Sequence, residues 1–196
     1  MDLADRVAVI TGGGRGIGRA IALKFASEGA AVVVAARTKA EIESVAREIR
    51  DAGGKAGAVS IDVADEKQCA HLVGAAAAQF GRVDILVNNA GDYGPVKPIE
   101  EIIPREWDRV IAVHLRGAYL LTRLVLPEMY ARGSGAILNI SSLSAKSAFG
   151  WGSPYAAAKA GMLGLTRVVA AEAARKGVRV TQSAPAQSRK RRCQRI

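Results

Sequence analysis

Near the start of the chain stands the glycine-rich run Thr11-Gly12-Gly13-Gly14-Arg15-Gly16-Ile17-Gly18, preceded by Val7-Ala8-Val9-Ile10 and followed by helically spaced apolar residues up to Ser27. A short apolar run predicts a buried strand, which places the glycines at a turn between a strand and a helix. Glycines there allow a tight turn and close approach to a pyrophosphate, while the helix N-terminus offers free N–H groups to that anion. The glycine turn therefore favours dinucleotide binding; the alternative is a tight connection without a ligand.

The spacing within this turn differs from G-x-G-x-x-G and fits the variant T-G-x-x-x-G-x-G. The residues expected to contact the cofactor are Gly12, Gly14, Arg15, Gly16, Ile17 and Gly18.

Apolar strands and helices alternate along the rest of the chain. Strands are predicted at 7–10, 30–36, 56–61, 83–87, 136–140 and 178–181, and helices at 17–27, 39–52, 65–80, 105–130 and 154–176. The strands are almost wholly apolar, which is typical of a parallel sheet covered on both faces. The sequence predicts an α/β, doubly wound, Rossmann-type fold with six strands, as one domain over 1–184 and an irregular basic tail over 185–196.

Composition excludes several classes of protein. With 196 residues, 49% hydrophobic and 23% charged, the chain has the apolar content of a globular domain. Cys69 and Cys193 are too few for a disulfide framework and wrongly spaced for zinc, so a reducing, cytoplasmic location and no metal are expected. No secretory signal is predicted, and the early apolar run 30–36 is too short to span a membrane.

The net charge of +10 is unevenly distributed. Five basic residues, Arg189, Lys190, Arg191, Arg192 and Arg195, lie in the last eight positions and account for half of it. Such a run could neutralise phosphates, which keeps a nucleic-acid binder among the alternatives. Basic tails are often merely solvated, and no aromatic stacking residues accompany this one, so nucleic acid is a disfavoured partner.

The second predicted strand ends at Ala36-Arg37, where an NAD site would carry an acidic residue for the ribose 2′-hydroxyl. Arg37 would instead pair with a 2′-phosphate, and Arg15 would add a second positive charge. The sequence therefore favours NADP(H) over NAD(H). The alternative is that both arginines are only solvated.

Tyr155-Ala156-Ala157-Ala158-Lys159 places a tyrosine and a lysine on one helix face. A cation about 4 Å from the tyrosine, at an effective dielectric constant of ~20, contributes about 4 kcal/mol, enough to bring its pKa from about 10 towards 7. Ser141-Ser142 ends the preceding strand and can add a hydroxyl at the same sheet edge. On its own, such a pair is more often a surface contact.

Together with Asp62-Val63 and Asn88-Asn89-Ala90-Gly91, these motifs resemble the short-chain dehydrogenase/reductase family over Leu3 to Ala184. In detail the chain is similar to 3-oxoacyl-acyl-carrier-protein reductases and to related sugar or steroid dehydrogenases. The resemblance implies that Tyr155 protonates a carbonyl oxygen, that Ser142 holds this oxygen, and that Lys159 lowers the tyrosine pKa and holds the nicotinamide ribose. It also implies that Asp62 and Val63 border the adenine and that Asn89, Ala90 and Gly91 line the nicotinamide end.

The chain departs from the family pattern at two places. His114 stands where the family has an asparagine that holds a water in a proton relay; a neutral histidine also donates and accepts, so it joins the predicted catalytic residues. After the sixth strand, Ser183-Ala184-Pro185-Ala186 replaces a Pro-Gly loop, and the lid and seventh strand are missing. This end is interpreted as truncated or frame-shifted.

The favoured function is NADPH-dependent reduction of a 3-oxoacyl thioester or similar ketone to an alcohol. The alternative is a cofactor-binding remnant with impaired catalysis. The resemblance also implies a homodimer through the two long helices, 105–130 and 154–176. Tyr93, Phe149 and Trp151 are candidates for the substrate pocket or for packing.

Overall fold

The computed structural model describes residues 2–147 and 150–185. Six strands alternate with helices in the order β1 (Val7–Thr11), α1 (Gly16–Ser27), β2 (Ala31–Ala36), α2 (Lys39–Asp51), β3 (Lys55–Ser60), α3 (Glu66–Phe80), β4 (Ile85–Asn88), α4 (Pro104–Ile111), α5 (Gly117–Arg132), β5 (Gly135–Ile140), α6 (Ser153–Ala174) and β6 (Val178–Ser183). Short 3-10 turns occupy Ile99–Glu101 and Leu143–Ala145.

All strands are parallel and form one sheet in the order β3-β2-β1-β4-β5-β6. The predicted doubly wound, six-stranded sheet is confirmed. The order reverses between β1 and β4, and in such sheets ligands bind in the crevice at the carboxyl ends of the strands beside this reversal. Both candidate cofactor motifs follow these two strands.

Two separate apolar cores lie on the two faces of the sheet because successive strand residues point to opposite sides. Val9 and Val33 belong to the core with α3 and α5, whereas Ile10 and Val34 belong to the core with α1 and α2. Central strands β1 and β2 are buried almost throughout. Strand β6 differs: Val178 and Val180 are buried while Arg179 and Thr181 are exposed, so residues 2–147 and 150–185 cover only one of its faces.

The predicted helix 105–130 is longer and less regular than expected. It runs without a break from Pro104 to Arg132 as α4, a π-helical turn at Ala112–Arg116, and α5. Pro127, which was expected to end or kink the helix, lies inside α5. This helical run is long and apolar enough in composition to cross a bilayer, but half of its most apolar window is buried in the protein, as in the core helix of a globular domain.

Other predicted boundaries shift by a few residues. Asp65 caps α3 as expected, its carboxylate accepting from the Gln68 N–H at 3.0 Å. Ser153 was expected to cap α6 but is its first helical residue, and Gly152 takes the cap position. Strand β4 begins at Ile85 rather than Val83, and the Asp84 carboxylate just before it accepts from the Val7 N–H and from Arg82. Most of the tail predicted to be irregular, residues 186–196, lies outside the described residues.

Candidate active site

The glycine turn after β1 is shaped by backbone contacts that exclude side chains. Gly12 and Gly16 have φ of 63° and 57°, a conformation that favours glycine. A Cβ on Gly18 would lie 2.2 Å from the Gly12 carbonyl oxygen, whereas one on Gly16 would meet nothing within 4 Å. Backbone atoms therefore fill the space beside Gly18, whereas the space beside Gly16, in front of the N-terminus of α1, is open. Arg15 and Ile17 are exposed beside this opening, an arrangement that fits the pyrophosphate of a dinucleotide.

Asn89 joins the glycine turn to the segment after β4. Its side-chain amide donates to the carbonyls of Thr11 (2.9 Å) and Gly12 (3.2 Å). The Thr11 hydroxyl accepts from the Asn89 and Ala90 N–H groups, both at 3.0 Å. Sequence reasoning missed Thr11 as an organiser, although its hydroxyl at the end of an otherwise apolar strand was a usable signal. The two motifs are therefore held as one unit.

Arg37 follows β2 and is exposed, with its backbone carbonyl accepting from the Ser60 hydroxyl. Asp62 lies at the end of the neighbouring β3, beside the buried Val63. Its carboxylate accepts from the Ala64 N–H at 3.0 Å and forms an ion pair with Arg109 of α4 at 2.9 Å.

The charge state of Asp62 follows from these contacts. Partial burial raises its pKa, but the Ala64 hydrogen bond and the Arg109 and Arg37 charges outweigh burial, and the pKa lies below its ordinary value. Arg109 was not predicted, because nothing in its sequence neighbourhood shows that α4 faces the end of β3.

The predicted catalytic side chains meet at the carboxyl end of β5. Ser142 is half-buried two residues after this strand, while the neighbouring Ser141 is buried. Tyr155 and Lys159 lie one turn apart on α6, and the Lys159 ammonium is 5.7 Å from the centre of the Tyr155 ring. Lys159 is 4% exposed and donates to the Ile140 carbonyl at 2.6 Å.

The pKa of Tyr155 differs in direction from the sequence-based expectation. Burial raises it, the neighbouring Ser142 hydroxyl acts in the opposite sense, and the net shift is upward. The Lys159 ammonium donates to the Ile140 carbonyl, and burial of the phenol sets the direction of the Tyr155 pKa shift. Burial also lowers the pKa of Lys159 to about 8.

His114 lies in the π-helical turn and is buried against the same cluster. Its ring meets the Tyr155 ring edge-on, with 5.2 Å between centroids. Its Nε2 atom lies 2.6 Å from the Asp92 carbonyl oxygen. A Cβ on Gly91 would be 2.0 Å from the imidazole, so the ring packs directly on the Gly91 backbone. Burial, together with the Lys159 charge, lowers the pKa of His114 to about 4.

Exposed apolar side chains lie on the segments next to the catalytic residues. The Tyr93 ring is 58% exposed and packs against Tyr155 with centroids 5.0 Å apart. Trp151 is half-exposed, and its carbonyl accepts from the Lys97 N–H at 3.0 Å, which ties the two loops together. Leu143 is also exposed. Phe149, the third predicted pocket residue, lies outside the described residues.

Comparison with known proteins agrees with this geometry. The family described as short chain dehydrogenase matches residues 6–190. The chain is 45% identical to cis-4-hydroxycyclohexanecarboxylate dehydrogenase of Sinomonas cyclohexanicum, over 93% of this chain and 73% of the relative. It is 38% identical to a 3-oxoacyl-[acyl-carrier-protein] reductase of Thermotoga maritima, over 94% of this chain and 75% of the relative.

Solved structures give the same assignment. A metagenomic short-chain oxidoreductase in complex with NADP superposes with a TM-score of 0.91 and 43% identity, over 96% of this chain and 86% of that one. Levodione reductase superposes with a TM-score of 0.91 and 38% identity, over 93% of this chain and 72% of that one. The glycine turn, the sheet order and these matches together establish that the chain belongs to the short-chain dehydrogenase family of NAD(P)-dependent oxidoreductases.

Proposed function

We propose that this chain reduces a ketone to a secondary alcohol with NADPH, using Tyr155 as the proton donor. The observation that carries the proposal is the shared edge of the sheet. Ser142, Tyr155 and Lys159 lie at the carboxyl end of β5, and the glycine turn follows β1, with β4 between these two strands. A cofactor held by the turn would extend along this edge towards Tyr155.

Each side chain has a separate role in this reaction. A bound reduced nicotinamide would supply the hydride. The Tyr155 hydroxyl donates its proton to the carbonyl oxygen, since a phenol is protonated near neutral pH, as reduction requires. Ser142 donates a hydrogen bond to the same oxygen, while the buried Lys159 ammonium stabilises the phenolate that remains. His114 supports the cluster from the π-helical turn.

An apolar ketone is the substrate class that suits the approach to Tyr155. The surrounding side chains, Tyr93, Leu143 and Trp151, offer aromatic and aliphatic surface. The names of the relatives include both a cyclohexane derivative and an oxoacyl thioester, so cyclic ketones and 3-oxoacyl thioesters are the two classes to compare.

The test is ketone-dependent loss of NADPH absorbance by the purified chain, with the alcohol product identified by mass spectrometry. Turnover with either class supports the proposal. Saturable NADPH binding without turnover of any ketone would instead favour the cofactor-binding alternative.

The preference for NADPH is assigned to Arg37, supported by Arg15. Both side chains are exposed beside the adenosine end of the proposed site, where a guanidinium can pair with a 2′-phosphate. Replacement Arg37→Ala is expected to weaken NADPH binding by roughly 10-fold or more, because a charge-assisted hydrogen bond is lost, and to leave NADH binding nearly unchanged.

Dissociation constants for both cofactors, measured by fluorescence, check this expectation. Arg47→Ala, on the exposed side of α2, is the matched control and should change neither constant. An equal loss of NADH affinity in Arg37→Ala would contradict the assignment to the 2′-phosphate.

A homodimer through α5 and α6 is part of the proposal. Tyr119 of α5 and Val168 of α6 are 47% and 58% exposed on the outer sides of these helices, and a second copy would cover them. Sedimentation equilibrium distinguishes a dimer from a monomer.

A further inference from the structure

A small recess of about 10 Å³, here called the cavity, lies between the end of β4 and the π-helical turn. Thr11, Asn88 and Ala90 line it on the sheet side, and His114, Gly117 and Met162 line it on the helix side. A volume of this size corresponds to a single water molecule. Cavities lined only by apolar groups stay empty, whereas this one has polar groups in its lining that can bind a water.

Two buried hydrogen-bond acceptors belong to the residues of this lining. Asn88 Oδ1 and His114 Nδ1 have no hydrogen-bond partner within residues 2–147 and 150–185, and their residues are only 4% and 2% exposed. The Asn88 amide group is oriented by its donation to Asn139 Oδ1 at 2.9 Å, which leaves its oxygen as the unsatisfied end. Burying such an acceptor without a donor is costly.

The tautomer of His114 follows from its contact with Asp92. Nε2 lies 2.6 Å from the Asp92 carbonyl oxygen and 3.2 Å from the Asp92 nitrogen. Two lone pairs would repel at the shorter distance, so Nε2 carries the hydrogen and donates it to the carbonyl. In the neutral ring Nδ1 is then an acceptor.

We propose that one buried water occupies this cavity and donates its two hydrogens to Asn88 Oδ1 and His114 Nδ1. A water molecule fits a site of this volume and supplies two hydrogen-bond donors, one for each unsatisfied acceptor. A small cation would also satisfy two acceptors, but the Lys159 ammonium contacts the same Tyr155 ring as His114 and opposes a second positive charge.

This water makes His114 a positioning residue. Hydrogen bonds at both ring nitrogens, to Asp92 and to the water, fix the imidazole between Gly91 and the Tyr155 ring. The ring then acts through the placement of Tyr155 and of the segment after β4, and exchanges no proton. This part of the inference rests on the proposed function, whereas the water site itself does not.

The water site is tested by a high-resolution crystal structure and by the nitrogen NMR spectrum of histidine-labelled protein. We expect a density peak about 2.7–3.2 Å from both acceptors and a spectrum showing the Nε2–H tautomer of His114. His71→Gln removes the signals of the other histidine and serves as the assignment control. An empty cavity, a peak with cation coordination, or the Nδ1–H tautomer would overturn the proposal.

The positioning role is tested by pH profiles of kcat/KM between about pH 5 and 8. His114→Asn keeps a donor and an acceptor, so it should preserve the shape of the profile. Its kcat should be at least about 10-fold higher than that of His114→Leu. A profile whose acidic limb disappears in His114→Asn would show that the histidine exchanges a proton and would overturn this role. If the wild-type chain turns over no ketone, the proposed function fails, while the crystallographic and NMR results still decide the water site.

Discussion

Replacement Tyr155→Phe is expected to lower kcat for ketone reduction by about 100- to 10,000-fold, the range over which proton transfer by a positioned side chain contributes. The phenylalanine ring preserves packing against Tyr93 and His114, so the loss isolates the hydroxyl. The dissociation constant of NADPH should change by less than about 3-fold, because the expected loss is confined to the chemical step. NADPH oxidation and fluorescence titration measure the two quantities.

Tyr130→Phe is the matched control for this variant. Tyr130 lies near the end of α5, where the Lys176 ammonium sits 4.2 Å from the centre of its ring, on a different part of the protein from Ser142. Loss of the Tyr130 hydroxyl should leave kcat unchanged. Retention of more than about a tenth of wild-type kcat in Tyr155→Phe would contradict its role as proton donor.

Replacement Gly18→Ala is expected to disrupt the cofactor turn. The added Cβ would lie 2.2 Å from the Gly12 carbonyl oxygen and 2.5 Å from Asn89 Nδ2, so backbone atoms would have to move. Overpacking of this kind costs about 1–3 kcal/mol of unfolding free energy. NADPH affinity should fall by at least about 10-fold, because the displaced groups shape the turn in front of α1.

Gly74→Ala provides the comparison for this glycine. Gly74 lies on the exposed side of α3, where a Cβ would meet no atom within 4 Å, and alanine should stabilise this helix by about 0.5–1 kcal/mol. Denaturant unfolding and NADPH titration of both variants separate general destabilisation from loss of the site. Wild-type NADPH affinity in Gly18→Ala would show that the turn does not hold the cofactor.

The sheet could be predicted from sequence because its determinants are local. Apolar strands such as β1 and β2 alternate with amphipathic helices such as α2, and the glycines between β1 and α1 are required by backbone geometry. The order of the strands places the predicted site residues along one edge, so their grouping followed from the fold.

The features that could not be predicted depend on contacts between distant segments. The bond between His114, in the π-helical turn at Ala112–Arg116, and Asp92 forms only when this helix packs on the segment after β4. The ion pair of Arg109 with Asp62 has the same origin. For Tyr155, spacing on the helix predicted a nearby cation but not the depth of burial, which sets the direction of its pKa shift.

The proposed cofactor site is tested most directly by a fluorescence titration of the wild-type chain with NADPH, with NADH in parallel. We expect saturable binding of NADPH at least about 10-fold tighter than that of NADH, from the added pairing of Arg37 and Arg15 with the 2′-phosphate. Absence of binding to either cofactor, or NADH binding as tight as that of NADPH, would contradict it.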